Sequence, residues 1–167
     1  LGHAEHVRHL ALQLFDDLQN VHGLSNSERE LLEAAAILHD AGYHISHDKH
    51  HKHSYYLIRN SLMPGFTNNE AELIANIARY HRKSHPKKKH KNFQKLDKEQ
   101  KEIVRILGGL LRIAEGIDRR QLQIVTAVRA EMQNGEININ FYPENGQVIP
   151  DIEIWGAERR KHEQQQA

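Results

Sequence analysis

The chain has 167 residues, a formal net charge of +1 and no cysteine, so disulfides and thiolate metal sites are excluded and one domain, or one with a small appendage, is expected. No apolar stretch is long enough to span a bilayer and no secretory pattern opens the chain, which favours a cytoplasmic protein. Charge and histidine are unevenly spread. Ten of the 23 Lys+Arg residues lie between Arg79 and Lys101, and thirteen of the 14 histidines precede residue 91.

Val7, Leu10, Ala11, Leu14, Phe15 and Leu18 recur at three- and four-residue spacing and predict a first amphipathic helix. No capping residue precedes Leu1-Gly2, and Ala157–Ala167 is a polar, helix-like tail, so the sequence reads as a fragment lacking an N-terminal portion. Ser25-Asn26-Ser27-Glu28 is a capping box that starts a second helix, expected to run to Gly42. Tyr43–Lys52 reads as a histidine-rich loop and Ser54–Leu62 as a short helix halted by Pro64-Gly65. Thr67-Asn68-Asn69-Glu70 opens a helix through Leu73, Ile74, Ile77, Ala78 and His81. A basic loop containing Pro86 follows, and Asp97–Gln100 caps a long helix carrying Ile103 to Ala114. After Asp118 the period changes to two, at Ile124, Thr126 and Val128 and again at Ile137, Ile139 and Phe141, with Asn134-Gly135 between as a tight turn. That is a β-hairpin, which must pack on the helices or on absent strands to persist. Pro150 opens a last helix with Ile152 and Trp155, or Asp151–Trp155 forms a third strand. Tyr43, Tyr55, Tyr56 and Trp155 suit core or interface positions.

His39-Asp40 closes the apolar run Leu31–Gly42, where ionisable groups belong only if something pairs with them. His3 and His6 share one face of the first helix, three residues apart, as do Glu115 and Asp118 on the long helix. Three separate helices can thus aim imidazoles and carboxylates at one point, the way metal sites in bundle cores are built. Carboxylates at a helix C-terminus oppose the macrodipole, which argues for another role for that pair.

These residues resemble the HD superfamily of metal-dependent phosphohydrolases, with His3, then His39-Asp40, then an acidic residue at Glu115. More narrowly, LALQLFDDL, LLEAAAILHDAGYHISHDKHHKHSYYLI, IARYHRKSHP, LRIAEGIDRR and the tail EIWGAERR look like the C-terminal domain of the exopolyphosphatase/guanosine pentaphosphate phosphatase family. The resemblance implies a mostly helical, HD-like bundle over residues 1–120 and a small hairpin-plus-helix unit over 121–167. It also implies that catalysis resides in an N-terminal actin-like half, while this part binds polyanion and makes homodimer contacts. Removal of orthophosphate from inorganic polyphosphate or guanosine pentaphosphate is the implied activity. Glu115 departs from the aspartate usual at its position.

The resemblance makes His3, His39, Asp40 and Glu115 the expected ligands of a divalent ion such as Mg²⁺ or Mn²⁺, with Asp40 as the residue expected to carry catalysis. His44, His50, His51 and His53 are candidates for a second ion or for phosphate. Polyphosphate carries about one charge per phosphorus, so a row of cations would hold it as counterions do. His50, His51, Lys52, His53, Arg79, His81, Arg82 and Lys83, with Lys87–Lys91, are the candidates. Nucleic acid is not expected, because aromatics total only 6% and little ring surface interleaves the basic run. Two other functions fit the same residues: an autonomous metal-dependent HD phosphohydrolase, and a dimerisation module with a vestigial site.

Overall fold

The computed structural model describes residues 2–40, 50–60, 64–81, 85–118 and 125–143, and the side chains of these except 50–54. Seven helices and two strands lie within them: α1 (His3–Asp17), α2 (Gln19–His22), α3 (Asn26–Leu38), α4 (His50–Asn60), α5 (Asn68–Arg79), α6 (Lys91–Gln94), α7 (Lys98–Ile117), β1 (Val125–Gln133) and β2 (Glu136–Pro143). The mostly α architecture with a hairpin appended is the one the sequence patterns predict.

Four helices make the core. α1 packs on α3 and α7, α3 on α5, and α5 on α7, so the four close into a ring. Each turns an apolar stripe inward: Leu10, Leu14 and Phe15 from α1, Leu32 from α3, Ile74 and Ile77 from α5, and Leu107, Leu110, Leu111 and Ile113 from α7 are all fully buried. Three capping boxes set the helix starts. Ser25 pairs with Glu28, Thr67 with Glu70, and Asp97 with Gln100, each satisfying orphan backbone N–H groups.

α3 stops at Leu38 rather than running on to Gly42, so His39 and Asp40 sit in a turn. The reason is local. His39 Nδ1–H donates to the Ala36 carbonyl at 2.6 Å, occupying the acceptor that the Asp40 N–H would use to continue the helix. α5 ends at Arg79, where the Tyr80 N–H turns to the Ile77 carbonyl; His81 lies beyond it, and its Nδ1–H likewise donates back, to the Ala78 carbonyl at 2.5 Å. α4 starts at His50, ahead of the expected Ser54, because nothing in His50–Ser54 breaks a helix; the loop expected over Tyr43–Lys52 therefore does not extend past residue 49. A one-turn helix, α6, lies within the stretch expected to be a basic loop. Its Phe93 is buried beside Tyr80 and anchors it. The expected helix or strand after Pro150, and the tail, lie outside the described residues.

The hairpin turns at Asn134 (φ 51°) and Gly135 (φ 79°), the left-handed pair that a two-residue hairpin turn requires. A bulge at Val125–Ala127 sets two residues of β1 against one of β2. It shifts the phase of the strand. Val125, Val128 and Ala130 face inward, while Thr126 is exposed and its hydroxyl donates to the Tyr142 carbonyl. The hairpin rests on α1, whose side chains also pair its outer edge: the Val128 N–H donates to Gln13 Oε1 (2.8 Å) and the Ala130 N–H to Asp17 Oδ2 (2.9 Å).

α1 touches α3, α7 and β1, so a void in its buried stripe is felt by every layer. Leu14→Ala removes a fully buried side chain and should cost about 2–5 kcal/mol. Urea unfolding followed by circular dichroism measures this, and a loss below about 1 kcal/mol would contradict the packing described.

Candidate metal centre

The start of α1 and the ends of α3, α5 and α7 meet at one end of the bundle. His3 and His6 come from α1, His39 and Asp40 from the turn after α3, His81 from just past α5, and Asp118 from the end of α7. Asp40 is at the centre. Its Oδ2 is 3.4 Å from His3 Nε2 and 3.4 Å from His39 Nε2, and its Oδ1 is 3.5 Å from His81 Nε2. The His39 and His81 rings meet edge to face, with centroids 4.7 Å apart.

Each of these three imidazoles is fixed by its other nitrogen. His39 Nδ1 donates to the Ala36 carbonyl, His81 Nδ1 to the Ala78 carbonyl, and His3 Nδ1 to Asp118 Oδ2 at 2.9 Å. A carbonyl or carboxylate oxygen only accepts, so the Nδ1 atoms carry protons and all three Nε2 atoms are turned to Asp40. His39 is buried, which together with the charge of His81 lowers its pKa to about 3, so its ring is neutral and its Nε2 presents a lone pair. A lone pair facing a carboxylate oxygen at 3.4 Å is repulsive unless positive charge lies close by.

The remaining electrostatics are set by His3. Burial alone would lower its pKa, but hydrogen bonds to Asp118 and Asp40 outweigh that and raise it to about 9. Burial would raise Asp40, yet the bonds from His3 and His81 hold it far below the usual carboxylate range. Asp118 is opposed by burial in the same way and is drawn down to about 2 by His3 and His6. His6 Nδ1 stands 2.9 Å from Asp118 Oδ1, while its Nε2–H donates to the Val125 carbonyl at 2.5 Å, so the hairpin is tied to this centre.

Of the four residues expected as metal ligands, His3, His39 and Asp40 come together: their ligand atoms all lie within 4.8 Å of one another, a group that suits a divalent ion. Glu115 is outside that group. It is buried one turn before Asp118, and among the described residues its Oε2 has no hydrogen-bond partner. Asp118, rather than Glu115, is the carboxylate of α7 that touches His3. An orphaned buried carboxylate oxygen and a neutral imidazole lone pair aimed at Asp40 both fit a cation at this end of the bundle.

The residues expected to bind polyanion are parted. His81 is fully buried and faces Asp40. Arg79 instead lines a cavity of about 170 Å³ with Tyr55, Tyr56 and Asn92; its buried Nε has no hydrogen-bond partner, and its guanidinium lies over the Tyr80 ring. Lys87, Lys88, Lys89 and Lys91 are exposed, and His90 is held by the Tyr80 hydroxyl at 2.7 Å. Arg82, Lys83 and His44 lie outside the described residues, as do the side chains of His50, His51, Lys52 and His53. Sequence patterns also passed over Glu72, a buried carboxylate held by Arg59 (2.6 Å), Lys95 (3.0 Å) and the Tyr55 hydroxyl (2.8 Å). The available signal was Glu72 and Asn76, two polar residues four apart on an otherwise apolar helix face.

Residues 1–146 match a family described as Ppx/GppA phosphatase, domain III. The guanosine-5'-triphosphate,3'-diphosphate pyrophosphatase of Pseudoalteromonas atlantica is 38% identical over 80 residues, covering 47% of this chain and 16% of that protein. The protein of the same name in Aeromonas salmonicida is 40% identical over 74 residues, covering 44% of this chain and 15% of its own length. A third, from Pseudoalteromonas translucida, is 44% identical over 52 residues, 31% of this chain and 10% of that protein. This chain therefore corresponds to only a small part of these relatives.

The ion pairs make stability in the presence of chelator depend on pH. The stabilisation from His3, whose folded pKa is raised, is whole below 6.5 and is lost as pH rises through about 9. That from Asp118, whose folded pKa is depressed, is whole above 3.8 and is lost as pH falls through about 2. The thermal midpoint in chelator should be highest between those inner limits, and His3→Gln should flatten the alkaline fall. An alkaline fall of the same size in that variant would refute the assignment.

Proposed function

The chain belongs to the Ppx/GppA phosphatase family, as its domain III, and from that premise we propose that it is the cation-holding helical part of a phosphohydrolase acting on inorganic polyphosphate or guanosine pentaphosphate. One observation carries this reading: three imidazole Nε2 atoms, each oriented through its own Nδ1, surround the single carboxylate of Asp40 at 3.4–3.5 Å.

His3, His39 and Asp40 would hold the ion, with Glu115, buried three residues before Asp118, as the further carboxylate. A divalent ion there supplies Lewis-acid chemistry, drawing in a phosphoryl oxygen and acidifying water. The chain's own contribution is orientation. The His39 and His81 rings are fixed by their Nδ1 bonds at the ends of α3 and α5, so little reorganisation is needed when a cation enters. Arg79 supports a role in binding the phosphate chain. It is a half-buried guanidinium with an unpartnered Nε beside a cavity, and the exposed lysines 87–89 and 91 add positive charge to the same stretch of chain.

Metal analysis of the purified chain tests the centre: about one divalent ion per chain is expected, lost in Asp40→Ala with helicity retained. Absence of metal after incubation with Mn²⁺ would end the reading. Phosphate release from polyphosphate and from guanosine pentaphosphate, with and without Mn²⁺, separates an autonomous hydrolase from a domain that needs its other half. For the anion role, polyphosphate should bind with affinity that falls steeply with salt, and Arg79→Gln should weaken it about tenfold or more, the loss of one charge-assisted contact. Equal binding by that variant would remove Arg79 from the site. A chain that binds neither metal nor polyphosphate would leave only the contacts between subunits as its role.

A further inference from the structure

We infer that Asp118 is the positioning residue of this centre, one carboxylate that orients His3 toward Asp40 and, through His6, fastens the β-hairpin to the same point. The two oxygens of Asp118 are divided between two imidazoles: Oδ2 accepts from His3 Nδ1 and Oδ1 stands beside His6 Nδ1, both at 2.9 Å. Asp118 is 1% exposed, so water does not compete for these contacts. Their geometry follows from sequence spacing. His3 and His6 are three residues apart on α1 and share a face, and Asp118 follows directly on the last turn of α7, which packs on α1.

The two histidines then diverge in what they do. With Nδ1 committed to Asp118, His3 can offer only Nε2, and that atom faces Asp40. His6 turns its Nε2–H away from Asp40, to the carbonyl of Val125, the first residue of β1. His6 is therefore a clamp rather than a ligand. Carboxylate partners of this kind fix the tautomer of a metal-binding imidazole, and losing one weakens metal binding about 10–100-fold. Glu115, in the last turn of α7, does not substitute: among the described residues its Oε2 makes no hydrogen bond, whereas each oxygen of Asp118 has an imidazole nitrogen at 2.9 Å.

The consequence for affinity rests on the metal reading above; the orientation of the rings does not. The experiment separates them. In the chelated chain, NMR should show a slowly exchanging Nδ1 proton on His3, and Asp118→Asn, which keeps the shape but halves the acceptors, should quicken its exchange. Hydrogen exchange at the β1 amides should quicken in the same variant and in His6→Asn. With Co²⁺ as probe, Asp118→Asn should bind 10–100-fold more weakly than the unaltered chain and with a changed visible spectrum. If the unaltered chain binds Co²⁺ and the variant matches it in affinity and spectrum, the inference falls and the metal reading stands. If the unaltered chain binds no Co²⁺, the metal reading falls, and the ring protons alone decide the inference. Absence of the His3 Nδ1 proton from the unaltered chain overturns it, even should the variant fail to fold.

Discussion

The arrangement depends on one carboxylate ringed by imidazoles. Asp40 is partly buried, yet three ring nitrogens from three helices point at it, and the bundle converges on that spot. Stripping a buried acidic group of its compensating charge costs about 3–5 kcal/mol, a large fraction of the stability of a domain this size. Such a constellation persists because positive charge lies between the rings and the oxygens. His3 supplies it, its pKa being raised to about 9 by Asp118 and Asp40.

What delivers the rings to that position is the way the helices finish. His39 and His81 each reach back three residues to an alanine carbonyl in the last turn of the preceding helix, at Ala36 and Ala78. The same bond leaves Nε2 pointing forward. Ligand orientation is thus set at the helix ends, where the small side chain of alanine leaves room for the ring to fold back over the last turn. α7 works differently: it ends at Ile117, and its next residue, Asp118, holds rings that belong to α1.

The helices were legible because their signals are local. Three capping boxes and apolar stripes at helical spacing mark α1, α3, α5 and α7, and Asn134-Gly135 marks the hairpin. The grouping of His3, His39 and Asp40 could be anticipated from residue type and from the family resemblance. Which residues share a partner could not. Asp118 and Glu115 sit three apart on one helix with equal claims by spacing, and only the approach of α1 decides that Asp118 receives His3. His81 was grouped with its basic neighbours because charge runs are read along the chain, whereas burial is decided across it. Arg79 and His81 are two residues apart and so face different ways, one to a cavity beside Tyr55 and Tyr56, the other to Asp40. The phase shift in β1 was hidden for a similar reason, since a bulge is a property of the pair of strands and not of either sequence.

That bulge limits how the chain can vary in length. It allows Val125 and Val128 to face α1 although they are an odd number of positions apart, and Val125 is also the residue whose carbonyl receives His6. Losing a single residue at Thr126 would restore an uninterrupted ladder with Asn134-Gly135 still at its tip. The cost would fall at the other end, where the strand would be drawn one step along and its carbonyl taken out of reach of His6. Insertions are therefore tolerable at the tip of the hairpin and not at its root, where the sheet is moored to the bundle.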